Sequence, residues 1–186
     1  MPALSSDPLI QGQPIPEFSL PDTSGAIWSP GDLRGVRGLV IGFICNHCPY
    51  VVAVADRLRT EGQALLDVGF GVAMICSNDA ESYPADSFEK MGAFAQHYAF
   101  PFPYLHDESQ EVAKTFGAVC TPDLFGFDAM LKLQYRGRLD SSGRNAATDE
   151  TQRELFDAMM QVSRTGIPPE VQHPSIGCSI KWKAAV

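Results

Sequence analysis

The stretch Gly38-Leu-Val-Ile-Gly-Phe-Ile-Cys45-Asn46-His47-Cys48-Pro49 decides the fold prediction. Its apolar first half is rich in β-branched residues and predicts a buried strand of a parallel sheet. A helical pattern follows at once, and Pro49 suits the first turn of that helix, where a missing N–H group costs little. Two thiols at this spacing can close a small disulfide ring, and the positive end of the helix favours a thiolate. We therefore expect Cys45 and Cys48 to form a dithiol that cycles.

The composition predicts a globular protein of one domain. The 186 residues are 45% hydrophobic and 19% charged, and we expect one domain over 1–186, with an N-terminal arm over 1–16 and a C-terminal tail over 164–186 packed on it. A net charge of −8 disfavours nucleic acid and anionic membranes as partners. No apolar run approaches the roughly 20 residues of a membrane span, and the N-terminus lacks the pattern of a signal peptide. We therefore expect a cytoplasmic location, and five cysteines, an odd number, suit a disulfide framework poorly.

The segments around the dithiol predict alternating strands and helices. Phe70–Cys76 is a second buried strand, so a right-handed βαβ unit is expected to join it to the first one. Asp86 and Glu89 resemble a capping box at the start of another helix, and Thr148 is expected to cap the last helix. The other predicted elements are a hairpin over 17–28, a helix from Cys48 to near Gly69, a strand over 102–105, a helix over 109–116, antiparallel strands over 124–135 and a tail over 166–183.

Short motifs carry a resemblance to a known family over nearly the whole chain. They are Pro16-Glu-Phe-Ser-Leu20, Phe43-Ile-Cys-Asn-His-Cys-Pro49, Ser77-Asn-Asp79, Cys120-Thr-Pro-Asp123 and Gly177-Cys-Ser-Ile-Lys-Trp182. In this order they resemble the thioredoxin superfamily, and in detail its peroxiredoxin-like branch, the alkyl hydroperoxide reductase and thiol-specific antioxidant (AhpC/TSA) relatives. The resemblance implies a thioredoxin-like three-layer α/β fold, with a central mixed β-sheet flanked by helices and an N-terminal β-hairpin.

The same resemblance implies roles for the dithiol and for the Thr121–Pro122 peptide. In the superfamily this peptide is cis and lies against the dithiol. Because proline lacks an N–H group, an extended substrate has room to pair with the residue before it. Cys45 matches the exposed nucleophile of thioredoxins, and Cys48 matches the resolving thiol. The expected reaction is thiol exchange, in which the Cys45 thiolate attacks a substrate disulfide and Cys48 displaces the reduced product.

The peroxidase pattern of the family is not kept in this sequence. Peroxiredoxins use Pro-x-x-x-Thr-x-x-Cys, and alignment on Cys48 puts Cys45 at the threonine position and Ile41 at the proline position. Alignment on Cys45 puts Gly42 and Gly38 there instead. Neither register keeps the hydroxyl group that positions a peroxide, so we favour a thiol-disulfide oxidoreductase. The alternatives are a thiol peroxidase that works through Cys48 and a non-catalytic redox-sensing domain that binds a partner through the Thr121–Pro122 edge.

Three neighbours of the dithiol are candidate supporting residues. An imidazolium on His47 would stabilise the Cys45 thiolate and make the disulfide more oxidising, and the alternative is that His47 is a spacer facing solvent. Asn46 is expected to be a turn former rather than a catalytic group. Cys120 lies two residues before Pro122 and is either a third redox partner or, as we favour, a small core residue.

Structural roles are favoured for the remaining cysteines. Cys76 is expected in the core, and Cys178 is either a distant resolving thiol or, as we favour, an anchor of the tail together with Trp182. We expect no metal, because Cys76, Cys120, Cys178 and four scattered histidines offer no second pair of zinc ligands. No cofactor is expected either. The expected partners are a protein or small-molecule disulfide, or a hydroperoxide, and a reductant whose identity the sequence does not give.

Two charged segments have open interpretations. Arg136 and Arg138 either bring positive charge near the site or solubilise a strand. The acidic loop 78–81, together with Asp86, could attract a cation, but a solvated acidic loop is the expected structure.

Overall fold

The computed structural model describes residues 3–7 and 10–184. Its central strand, Gly38–Phe43, is buried along all six residues, as the apolar sequence predicts. The strands are β1 Ala3–Ser5, β2 Leu20–Pro21, β3 Ile27–Trp28, β4 Gly38–Phe43, β5 Phe70–Cys76, β6 Tyr104–His106, β7 Cys120–Thr121, β8 Asp123–Asp128, β9 Leu133–Gly137 and β10 Ile176–Ser179. The helices are α1 Pro30–Leu33, α2 Pro49–Asp67, α3 Phe88–His97, α4 Glu111–Phe116 and α5 Glu154–Thr165, with a 3₁₀ turn at Pro84–Asp86.

The central sheet is mixed, as the fold prediction requires. Strand β4 runs antiparallel to β8, and β8 runs antiparallel to β9, while β5 and β6 are parallel. The Ile44 N–H donates to the Ile75 carbonyl at 2.9 Å, so β5 lies beside the end of β4. The sequence predicted that β4 is a strand of a parallel sheet, and this is wrong for its pairing with β8, which is antiparallel. The predicted N-terminal hairpin is present as β2 and β3.

Two apolar layers cover the two faces of the sheet. Residues alternate along β4, so Val40 and Ile44 face one layer while Leu39 and Phe43 face the other. The first layer contains side chains from α2, α3 and α5, and the second contains side chains from α1, α4 and the hairpin. Helices therefore flank the sheet on both faces, which is the three-layer α/β architecture expected. None of the helices in the described ranges is both long and apolar enough to cross a membrane.

Two predicted helix starts are wrong. Thr148 precedes a turn closed by the Thr151 N–H on the Thr148 carbonyl, and α5 begins only at Glu154. Helix α3 is capped by Ser87, whose hydroxyl accepts from the Lys90 N–H. Asp86 therefore caps no helix and is the buried residue of the 3₁₀ turn.

The C-terminal segment adds a strand rather than packing as an irregular tail. Strand β10 pairs antiparallel with β1 on one side and with β7 on the other. Trp182 is 41% exposed, whereas Ile180 and Lys181 are buried. The expectation that Trp182 anchors the tail is thus wrong, because backbone pairing and the residues before Trp182 hold this segment.

Candidate functional site

The dithiol lies where strand β4 gives way to helix α2. The chain leaves the sheet after Ile44, and Cys48 is the N-cap residue of α2, with extended backbone angles and Pro49 in the first turn. The first N–H groups of a helix have no partner inside it, so a group at the N-cap meets partial positive charge. Cys48, rather than Cys45, has this position.

Both thiols touch the residue before the cis proline. The Thr121–Pro122 peptide is cis, as the resemblance implied. Cys45 Sγ lies 3.4 Å from the Thr121 hydroxyl oxygen, and the Cys48 thiol donates to the Thr121 carbonyl at 3.2 Å. The two thiols also contact each other. All five cysteines have free thiols, and Cys45 and Cys48 are only 1% and 0% exposed.

The surroundings of the two thiols favour a thiolate on Cys48. The contact with Cys45 lowers the pKa of Cys48, and contacts with Cys178 and the Val51 backbone lower it further, against the effect of burial. The same contact raises the pKa of Cys45, with burial and then the charge of Asp86 adding to the rise. This differs from the sequence-based expectation that Cys45 is the thiolate, because that expectation did not include the contact with Cys48, the burial of Cys45 or the charge of Asp86.

Asp86 is a fully buried carboxylate under the loop that carries the dithiol. One oxygen accepts from the Asn46 N–H at 2.8 Å, and the other accepts from the Asn78 side-chain amide at 2.7 Å. His47 Nδ1 lies 2.7 Å from the second oxygen, although this contact lacks hydrogen-bond geometry. The His47 ring also stacks on Tyr83, with ring centroids 5.7 Å apart. His47 is therefore packed against protein on both sides rather than being a free spacer.

Asn46 does more than form a turn. Its backbone donates to Asp86, and its side-chain amide donates to the Ala85 carbonyl at 2.9 Å. Its side-chain oxygen accepts from the Tyr104 hydroxyl at 3.0 Å. The loop between the two cysteines is thus tied to the 3₁₀ turn and to β6. The sequence analysis did not predict that Asp86 and Tyr104 hold this loop, because each of them is far from the loop in the chain.

One group of possible metal ligands coincides with this anchor. Donor atoms of Cys45, His47 and Asp86 all lie within 4.8 Å of one another. The two Asp86 oxygens already accept hydrogen bonds from Asn46 and Asn78. The carboxylate is therefore satisfied by the protein itself, and we assign it to holding the loop.

The start of the loop after β5 is buried rather than solvated. Asn78 and Asp79 are 4% and 5% exposed. The Lys181 N–H donates to the Asn78 side-chain oxygen at 2.8 Å, and the Asp79 N–H donates to the Lys181 carbonyl at 2.8 Å. The expectation of a solvated acidic loop is therefore wrong for these residues, because the C-terminal segment covers them.

The remaining predicted polar groups point to other partners. Arg136 donates to Asp123 at 2.9 Å and to the Gly117 carbonyl at 2.7 Å, in a buried ion pair. Arg138 makes two bonds to Glu154, at 2.7 and 2.8 Å. Neither guanidinium group is directed at the thiols.

Two further cysteines, one in β5 and one in β7, are core residues in this structure. Cys76 and Cys120 are both fully buried. Burial is the largest cause that raises the pKa of each thiol to about 12. Cys76 therefore lies where the sequence predicted it.

Strand β10 occupies the edge that was expected to bind an extended substrate. Cys178 pairs with Thr121, and Ser179 pairs with Cys120. Gly177 approaches so closely that a Cβ atom there would overlap the Thr121 carbonyl. The Thr121–Pro122 edge is therefore not free in this structure, and a partner could pair with it only after β10 had moved. Cys178 is not distant from the dithiol, because this pairing brings its side chain against Cys48.

A cavity of about 200 Å³ is lined in part by the cis proline. Its apolar walls include Tyr50 and Val54 of α2, Leu139, Pro122 and Ile176 of β10. The guanidinium group of Arg144, which also lines the cavity, stacks on Tyr50 at 4.7 Å. The cavity is suited to an apolar group beside the proline.

Comparisons with known proteins place the chain among thiol-based redox proteins. Peroxiredoxin Bcp of Escherichia coli (strain K12) is 28% identical over 140 residues, which are 74% of this chain and 83% of that protein. An uncharacterized conserved protein from Geobacillus kaustophilus superposes with a TM-score of 0.94 at 43% identity, over 100% of this chain and 99% of the other. A secreted Mycobacterium tuberculosis disulfide oxidoreductase, described as homologous to Escherichia coli DsbE, shares the fold with a TM-score of 0.59 at 18% identity. The superposition covers 77% of this chain and 94% of the other.

The family model for AhpC/TSA proteins matches residues 11–136. That segment contains both thiols of the dithiol, the cis proline and the central sheet. The match and the Bcp relative support a redox enzyme that works through thiols, with peroxide or thiol substrates and a reductant. The chain belongs to the AhpC/TSA family, within the peroxiredoxin-like branch of the thioredoxin superfamily.

Proposed function

We propose that this protein is a thiol–disulfide oxidoreductase whose working couple is Cys45 and Cys48. The observation that carries this proposal is that both thiols touch Thr121, with Cys48 as the N-cap residue of a 19-residue helix. A helix start favours a thiolate, and a second thiol in contact with it can close a disulfide.

The proposed reaction begins at Cys48. Its thiolate attacks one sulfur of a substrate disulfide, a Cys48–substrate bond forms, and the other substrate sulfur leaves as a thiolate. Cys45 then gives its proton to that leaving thiolate and attacks the Cys48 sulfur. The Cys45–Cys48 disulfide forms, and the second substrate thiolate leaves. The substrate gains two electrons and the couple loses two, and a dithiol reductant reverses the change.

Two features favour disulfide exchange over peroxide reduction. Cys45 stands at the position where peroxiredoxins have the threonine that orients a peroxide. Arg136 and Arg138 pair with Asp123 and Glu154, and their hydrogen bonds go to those carboxylates and to the Gly117 carbonyl rather than to either thiol. The apolar cavity beside Pro122 supports a substrate with an apolar substituent.

Peroxide reduction by Cys48 is the second candidate. The lowered pKa of Cys48 favours it, and the Bcp relative carries the name peroxiredoxin. The Cys48 thiolate would attack the peroxide, release an alcohol or water and become a sulfenic acid. Cys45 would then attack the sulfenic sulfur and release water, which closes the same disulfide.

Two serine variants test the proposal. A Cys45→Ser variant, with Cys178 also changed to serine so that this neighbouring thiol cannot displace the substrate, should hold a stable mixed disulfide with a small aromatic disulfide on Cys48, whereas Cys48→Ser should neither turn over nor trap substrate. If Cys48→Ser traps the substrate and Cys45→Ser does not, Cys45 is the attacking thiol. Wild-type turnover in both variants would end the proposal. Peroxide consumption by the wild type, with sulfenic acid on Cys48 and no disulfide reduction, would favour the second candidate.

A further inference from the structure

The proposed dithiol has a problem of access. Cys45 and Cys48 are buried, and strand β10 covers the edge at Thr121 through which an extended substrate would reach them. Of the five cysteines, Cys178 alone is partly exposed, and it lies on the strand that covers that edge. The Cys178 thiol therefore lies between the buried pair and the solvent.

Backbone pairing holds Cys178 against the dithiol. Cys178 stands directly opposite Thr121, and the Thr121 carbonyl accepts the Cys48 thiol at 3.2 Å. Gly177 allows β10 to approach this carbonyl, since any larger residue would overlap it. The Cys178 side chain contacts Cys48, which lowers the pKa of Cys48 and contributes, after burial, to the raised pKa of Cys178.

We propose that Cys178 is a third redox thiol, which carries exchange between the buried Cys45–Cys48 couple and the outside. This inference rests on the proposed function of that couple. In the internal step, the Cys178 thiol loses its proton and attacks the Cys48 sulfur of the Cys45–Cys48 disulfide. A Cys48–Cys178 bond forms, the Cys45–Cys48 bond breaks, and Cys45 leaves as a thiolate that takes the proton. The step changes no oxidation level, and an external dithiol then reduces the bond at the exposed Cys178.

Cys120 provides a matched control on the neighbouring strand. It is paired with Ser179, one position away from the pair formed by Thr121 and Cys178. Successive side chains of a strand point to opposite faces, so the Cys120 side chain and the Cys178 side chain lie on opposite faces of this pair of strands. The exposure differs as well, because Cys120 is 0% exposed.

Disulfide mapping tests the relay. A Cys45→Ser protein is treated with one equivalent of diamide, quenched with acid, digested and analysed by mass spectrometry. We expect a linked peptide pair that joins Cys48 to Cys178. The pair should persist when Cys120→Ser is added and disappear when Cys178→Ser is added. Absence of this pair in the Cys45→Ser protein, with both thiols recovered free, would overturn the proposal.

A rate measurement in the otherwise intact protein separates this inference from the proposed function. Reduction of the Cys45–Cys48 disulfide by reduced thioredoxin should slow at least roughly tenfold in Cys178→Ser, because the internal thiol is lost at high effective concentration. An unchanged rate, with the Cys45–Cys48 disulfide still mapped, would overturn the relay and leave the proposed function intact. Failure of the wild type to form that disulfide would instead end the proposed function, while the linked Cys48–Cys178 peptides would still report on the relay contact. Thermal unfolding of each variant shows that it is folded.

Discussion

Asp86→Ala is the perturbation that most sharply tests how the dithiol loop is held. The carboxylate is 0% exposed and accepts from the Asn46 N–H at 2.8 Å and from the Asn78 amide at 2.7 Å. A hydrogen bond to a charged group contributes about 1.5–3 kcal/mol, so two of them lost together should cost roughly 3–6 kcal/mol. The free energy of unfolding of the reduced protein should fall by that amount in urea titrations followed by tryptophan fluorescence.

The same variant should change the chemistry of the nearer thiol. The negative charge of Asp86 helps to raise the pKa of Cys45, so its removal should lower the pH at which Cys45 reacts with iodoacetamide. A residue that only fills space would not shift this pH profile. Asp56→Asn, an exposed change on α2, is the matched control and should stay within about 0.5 kcal/mol of the wild type. A loss below about 1 kcal/mol in Asp86→Ala, with an unmoved alkylation profile, would refute the anchoring role.

Three further outcomes follow from the same geometry. Gly177→Ala places a methyl group on the Thr121 carbonyl, so β10 must shift; we expect a loss of about 1–3 kcal/mol and faster proteolysis of the C-terminal segment, and an unchanged digestion pattern would contradict this. Because the pKa of Cys48 is lowered, Cys48 should still react with iodoacetamide at a pH where an ordinary thiol no longer reacts. Peptide mass spectrometry across a pH series measures this reaction. A midpoint of the Cys48 pH profile at or above that of a free thiol would argue against the lowered pKa. Arg136→Met leaves Asp123 buried without its partner and should cost about 3–5 kcal/mol near neutral pH. Burial raises the pKa of Asp123 to about 6 although Arg136 lowers it, so the pKa is higher still in the variant. Part of this loss should therefore return as the pH falls towards 6 in urea titrations, and a pH-independent loss would be inconsistent with this origin.

The core elements of the fold are visible in the sequence because their signals are local. The apolar runs that became β4 and β5 are buried along their whole length. Helix α2 begins at a proline and carries its buried side chains at helical spacing. The cis proline followed from the family resemblance, and the hairpin from a turn between short strands.

The parts that could not be predicted depend on contacts between distant segments. Asp86 looks like a helix cap in the sequence, and only the folded chain brings it to Asn46, 40 residues away. Strand β10 lacks an apolar pattern, because it is held by backbone pairing with β1 and β7. Because β10 was not predicted, the sequence suggested that the edge at Thr121 was open and that Cys178 lay far from the dithiol. The assignment of the thiolate to Cys45 had the same origin, since neither its burial against Cys48 nor the nearby charge of Asp86 could be seen in the sequence.

The most direct test of the proposed couple is a redox titration of the whole protein in glutathione buffers, with Cys45 and Cys48 followed by differential alkylation and peptide mass spectrometry. We expect one two-electron transition in which both thiols disappear together into a Cys45–Cys48 disulfide, at a potential between about −270 and about −120 mV, the range of dithiol oxidoreductases. Alkylation of both thiols at every poise, or oxidation of Cys48 while Cys45 stays free, would contradict it.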